Sequence, residues 1–129
     1  MSQTIATVSL LVGDYDEAIA FYCDKLGFGL LADDDLGNGK RWVLVAPKTS
    51  GARLLLAKAS GEAQRARIGD QTGGRVAFFL ETADFARDYA AYTAAGVHFL
   101  EAPRHESYGS VAVFEDLYGN KWDLIGPRA

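Results

Sequence analysis

The 129-residue chain has one cysteine, two histidines, three prolines and no apolar run near the length of a membrane span. A lone Cys23 cannot close an internal disulfide, which fits a reducing compartment. The longest apolar runs, such as Val8 to Val12, have strand length, well short of the ~20 residues of a spanning helix. The opening MSQTIATVSLLVGD has neither the basic region nor the extended apolar stretch of a secretory leader. A cytoplasmic location away from membranes is therefore expected. Positive charge is scarce as well: 13 Lys plus Arg stand against 17 Asp plus Glu, a net charge of −4. That balance argues against nucleic acid as a partner. No Gly-x-Ser-x-Gly, His-Glu-x-x-His or Cys-x-x-Cys pattern supports a serine hydrolase, a zincin or a zinc ribbon.

What is present is a soluble composition, 49% hydrophobic and 23% charged, with 14 glycines to punctuate short elements. The length suits a single domain. Within it the sequence repeats. Val8 to Val12 and Val76 to Leu80 are β-rich runs 68 positions apart, each followed by a helical pattern. The first helix is capped by Asp14 with Glu17 three residues on, carries the stripe Tyr15, Ala18, Ile19, Tyr22 and Leu26, and stops at Gly27. The second takes Thr82 as cap, carries Phe85, Tyr89 and Tyr92, and stops at Gly96. At an offset of 69, residues 28–32 answer 97–101, Trp42 to Val45 answer Val111 to Phe114, and Arg53 to Leu56 answer Trp122 to Ile125. Each half reads βαβββ, giving modules 1–58 and 75–129 joined by a linker 59–74 with a short exposed helix at Glu62 to Arg67. Gly37-Asn38-Gly39 is a hairpin turn rather than a phosphate loop, because no helix follows. Asp33-Asp34-Asp35 reads as a solvated turn, without the glycine and distal Glu of a calcium loop. The expected fold is α+β: two tandem βαβββ modules whose mixed sheets curve around a cleft, with helices on the outer face.

The run Val8-Ser9-Leu10-Leu11-Val12-Gly13-Asp14, followed by Ala18, Phe21-Tyr22 and Leu26-Gly27-Phe28, resembles the vicinal oxygen chelate superfamily. So does Phe114-Glu115-Asp116-Leu117-Tyr118-Gly119-Asn120 before the closing strand. That superfamily includes glyoxalase I, bleomycin-resistance proteins and extradiol dioxygenases, and the resemblance spans nearly the whole chain. It implies a homodimer and a small-molecule ligand, but not one activity, since the same scaffold carries lyases, dioxygenases and non-catalytic binders. Its metal-dependent members hold a divalent ion with a His or Gln before the first strand of each half and a Glu in the last. The matching positions here are Thr7, Arg75, Leu54 and Asp123, and only Asp123 is a plausible ligand. Arg75 would set a permanent cation where the ion belongs. No cofactor is expected.

Strand alternation turns Arg75, Ala77, Phe79 and Asp123 toward the cleft. Arg75 and Asp123 either form a structural ion pair or bind a small ligand, Arg75 gripping an anionic or carbonyl group and Asp123 orienting it or serving as base. Pro103 to Gly109 displays His105, Glu106 and Tyr108 as a possible rim, with His105 the other candidate for proton transfer. Trp42 is either core or pocket wall. Cys23 reads as a small buried hydrophobe, and His98 as solvent-facing. The leading expectation is a metal-independent binder of a small organic molecule. One rival is a glyoxalase-like lyase or dioxygenase with Asp123, Glu106 or His105 as substitute ligands, and another is a protein-binding module with a large exposed apolar patch.

Overall fold

A computed structural model describes residues 2–129. The chain forms two compact units, the first running to Ile68 and the second spanning Gly69–Ala129. The first unit contains β1 (Thr7–Val12), α1 (Tyr15–Ile19), β2 (Gly29–Gly37), β3 (Lys40–Ala46), β4 (Arg53–Lys58) and the short helix α2 (Gly61–Arg65). The second contains β5 (Val76–Glu81), α3 (Phe85–Ala94), β6 (His98–Phe99), β7 (Arg104–Glu106), β8 (Gly109–Glu115) and β9 (Lys121–Gly126). No helix among the described residues is long and apolar enough to cross a membrane.

Both sheets are mixed, for the same topological reason. In each, the helical crossover brings the last strand parallel to the first, β1 beside β4 and β5 beside β9, and the remaining neighbours are antiparallel. The strand orders are β1-β4-β3-β2 and β5-β9-β8-β6, with β7 also paired to β8. The α+β reading of two similar modules therefore holds. The second strand of module two, expected at 97–101, is shortened to β6 and followed by the additional β7, and both pair with β8.

The core of the first unit follows from period-2 alternation. Leu10, Val12, Val43, Val45, Leu54 and Leu56 are buried, and the register places them on one face of the sheet. Helix α1 lies against β3 and β4. Asp14 caps it, accepting a hydrogen bond from the Glu17 N–H at 2.9 Å. Replacing Asp14 by alanine is expected to cost about 1 kcal/mol in urea denaturation, with glycine costing less.

The chain continues past Ile19 as a π-helical turn, Ala20–Lys25, with Phe28 N–H reaching back to the Tyr22 carbonyl. Phe21 and Tyr22 are both buried on this turn. Cys23, on this turn, is half-buried rather than fully buried, and its burial pushes the thiol pKa up.

In the second unit the cap is Asp84, which accepts from the Arg87 N–H, and not Thr82. The Thr82 hydroxyl accepts from the Asp84 N–H and bonds the Asp88 carboxylate, bracing the turn before the helix. Cap to terminal glycine is thus one residue shorter in the second unit than in the first, and the π turn accommodates the difference. Phe85, Tyr92, Phe114, Trp122 and Leu124 form the buried core here.

The Asp33-Asp34-Asp35 run is not a turn. It lies inside β2, paired with Val43, Trp42 and Arg41 of β3. Three carboxylates are tolerable on this strand because it is an edge and because Arg41 grips Asp33 through two hydrogen bonds of 3.0 and 2.8 Å. The actual turn is Gly37-Asn38-Gly39, all three with positive φ, as the tight β2–β3 reversal requires.

Candidate functional site

The first unit carries a groove of about 870 Å³ bordered by Tyr15, Leu36, Trp42, Leu55, Ala57 and Gln64, among others. Its existence follows from where the β3–β4 ladder stops. Those strands pair only at Leu44↔Leu55 and Val45↔Leu54. The corresponding strands of the second unit, β8 and β9, pair at six positions from Ser110↔Gly126 to Glu115↔Lys121. Extending the β3–β4 register would set Trp42 opposite Ala57 and Arg41 opposite Lys58, but the ladder is open there. The groove is lined from both faces of the sheet, by Tyr15 and Leu56 on the helix side and by Trp42 and Leu55 on the other. Only parted strands allow that.

Trp42 is 42% exposed and Leu36 53% exposed, so the groove offers apolar surface that the fold itself does not cover. At its rim Gln64 Oε1 accepts from the Ser60 N–H at 2.8 Å, fixing the start of α2. On the helix side, Arg41 bridges Asp16 at 3.0 Å and Asp33 at 2.8 Å and lies over the Tyr15 ring. The Asp33 carboxyl is held below the usual range, first by its hydrogen bond from Arg41. A lowered carboxylate pKa adds stability above its unfolded value and loses it as pH falls through the folded one. Asp33→Asn is accordingly expected to lower the melting temperature slightly near pH 7, the difference vanishing in acid once the carboxyl is protonated in the folded state. A melting series across that range is the check.

Thr7 begins β1, opposite Arg53, and is exposed. Leu54, placed by the repeat beside the ligand cleft, is 6% exposed and belongs to the helix-covered face with Leu10 and Leu56. Since Leu44↔Leu55 corresponds to Val113↔Asp123, the residue matching Asp123 is Leu55. A slip of one residue turns a side chain to the opposite face.

In the second unit Arg75 precedes β5 and is exposed, its carbonyl accepting from the Thr72 hydroxyl at 2.6 Å. The anticipated Arg75–Asp123 ion pair does not occur among the described residues. The cation near Asp123 is Arg104. In β7, Arg104 stands opposite Val111 on the face shared by Val113, Asp123 and the exposed Phe79. Its guanidinium clasps Glu101 through bonds of 3.0 and 3.2 Å, and Glu101 also accepts from the Val113 N–H at 3.0 Å. Asp123 Oδ1 is buried without a hydrogen-bond partner among the described residues. Burial pushes this carboxyl up, Arg104 pulls it down and Glu101 pushes it up further. Arg104 was legible only as part of the loop 103–109. The cue to single it out was Glu101, three residues earlier.

His105 is on the opposite face from Asp123. Its Nδ1 lies 2.7 Å from Ser110 Oγ, which also accepts from the Ala129 N–H. Ser110 is fully buried, so the pair fastens the strand end instead of displaying a nucleophile. Glu106 is half-buried opposite Gly109, and Tyr108 projects from the hairpin turn at 63% exposure. His98 is exposed and pairs with Glu115 at 2.7 Å. Among the described residues no three His, Cys, Asp or Glu side chains gather as a metal-ligand set.

Two modules with a mixed sheet apiece have the architecture of the vicinal oxygen chelate type. The sequence profile of the Glyoxalase/Bleomycin resistance protein/Dioxygenase superfamily matches residues 4–124, and the chain belongs to that family. An uncharacterized protein of Shewanella frigidimarina (strain NCIMB 400) is 52% identical over 127 residues, covering 97% of this chain and 94% of its own. Among solved structures, UcmS2 is 30% identical with a TM-score of 0.84, covering 97% of this chain and 98% of that one. TnmS3, an antibiotic binding protein from Streptomyces sp. CB03234, is 30% identical with a TM-score of 0.81 and 98% coverage of both chains.

Proposed function

We propose that this protein binds a small organic molecule with an aromatic or otherwise apolar body, of the kind an antibiotic presents, and does so without a metal ion. The observation that carries the reading is the groove beside Trp42, where large apolar side chains line a space left open by the parted strands. Burying such a ligand against Trp42 and Leu36 would contribute roughly 25 cal/mol per Å² of apolar area removed from water. The likeness to an antibiotic binding protein supports the same class of ligand.

Of the four family ligand positions, Thr7 offers a weak neutral oxygen, Leu55, which the register sets in place of Leu54, has no donor atom and Arg75 is a cation, which leaves Asp123. Asp123 and His105 stand on opposite faces of one sheet, an arrangement that favours binding over acid–base catalysis by the pair. The family resemblance adds a cytoplasmic homodimer to the proposal, and sedimentation at micromolar concentration checks the dimer.

Elemental analysis combined with a thermal-shift screen tests the function. The expected result is a metal content far below one equivalent and stabilisation by aromatic compounds that persists in chelator. A stoichiometric Ni, Zn, Fe or Mn that disappears in Asp123→Ala would instead establish the metal enzyme.

A further inference from the structure

The open end of the β3–β4 ladder holds more than apolar surface. Ala59 N–H donates to the Val12 carbonyl at 2.9 Å. The odd-numbered residues at this end of β4 therefore direct their backbone groups toward β1, and the even-numbered ones, Leu56 and Lys58, direct theirs toward β3. On the facing strand, Arg41 N–H donates to the Tyr15 hydroxyl at 3.1 Å instead of to a strand. That bond shows Arg41 turning its backbone groups away from β2, since the N–H and carbonyl of one strand residue point the same way. In the second unit the matching pair, Ser110↔Gly126, closes the ladder. In the first unit the Arg41 carbonyl and the Lys58 N–H are left without a ladder partner on either side of the groove.

An acceptor on one strand and a donor on the other, across a gap, are what a single trans secondary amide satisfies. Its carbonyl and N–H lie on opposite edges of one plane, so it can accept from Lys58 while donating to Arg41, as a peptide unit does between two strands. We propose that the groove selects ligands carrying a secondary amide next to an aromatic ring, the amide bridging Arg41 and Lys58 and the ring packing on Trp42. This specificity rests on the groove being the binding site proposed above. It predicts recognition by backbone atoms, which side-chain substitution leaves in place. Tyr15 is the positioning residue, because its hydroxyl occupies the Arg41 N–H and leaves the Arg41 carbonyl to face the Lys58 N–H.

The test is calorimetric titration with two probes of nearly the same shape. Benzanilide has a secondary amide between two rings, and phenyl benzoate replaces its N–H with oxygen. Benzanilide is expected to bind roughly fivefold to tenfold more tightly, the effect of one added hydrogen bond. It should also slow hydrogen exchange at the Lys58 amide, read by NMR. Trp42→Ala should weaken both probes by a similar factor and preserve their ratio. Equal affinities with unchanged Lys58 exchange would overturn the amide specificity and leave the apolar groove standing. A ratio that collapses in Trp42→Ala would move amide recognition to Trp42 and also overturn it. If neither probe binds, the amide specificity falls, and the thermal-shift screen decides separately whether the groove binds ligand at all.

Discussion

Trp42→Ala is expected to weaken ligand binding on the order of tenfold to a hundredfold while leaving the urea midpoint nearly unchanged. Trp42 is 42% exposed, so it contributes less to folding than a core ring and keeps a large part of its surface for a ligand. Aromatic residues at the centre of a binding patch characteristically carry its energy, about 1 to 3 kcal/mol each. The first unit's core residues Leu10, Val43, Val45 and Leu56 are fully buried on the sheet face opposite this side chain. Binding and stability should therefore separate in this variant. Titration calorimetry beside a denaturation curve measures both. An affinity left intact would place the ligand elsewhere, and a large loss of stability would make Trp42 a core residue.

Phe114→Ala should do the reverse, costing about 3 to 5 kcal/mol of stability. Phe114 is fully buried and lies at the centre of the second unit's aromatic cluster. Its ring is 5.6 Å from Tyr92, 5.6 Å from Phe99 and 5.8 Å from Trp122. Deleting it removes the transfer energy of a whole ring and leaves a space that three rigid neighbours can only partly fill. Phe114→Leu, which keeps most of the volume, should cost much less. Equal losses for the two variants in urea denaturation would contradict this packing argument.

The difference between these two aromatics shows what the sequence could and could not disclose. Strand alternation put Phe78, Leu80, Trp122 and Leu124 on one face, and the register agrees, because period 2 is fixed by backbone geometry. The module repeat was legible for the same reason, and the Asp14 cap from its three-residue spacing to Glu17. Leu54 failed because matching the halves at a constant offset shifted β4 by one residue, which inverts a strand. Arg75 failed because β5 begins one residue after it, so no strand alternation governs its side chain. The aspartate run in β2 contradicts local strand propensity and is stabilised by Arg41, a tertiary partner invisible to a local pattern.

Trp42 stayed undecided between core and pocket in the sequence because the answer depends on a ladder that closes in one module and opens in the other. Strand propensity is similar in both, with Trp42 to Val45 matching Val111 to Phe114. Only the pairing distinguishes them. The open ladder also accounts for why the candidate site is not distributed symmetrically over the repeat. The second unit presents a charged cluster, Glu101, Arg104 and Asp123, where the first presents apolar Leu55 and Trp42.

Tryptophan fluorescence reads out the proposed metal-free binding of a small aromatic molecule at Trp42. The chain has two tryptophans, and Trp122 is 4% exposed in the core of the other unit, so a surface-sensitive change reports Trp42. Protein stripped with chelator and titrated with the aromatic compounds that raise its melting temperature should give a saturable change in emission. The same titration of Trp42→Ala should be flat. A change that appears only after a divalent metal is restored, or that persists undiminished in Trp42→Ala, would rule out metal-free binding at Trp42.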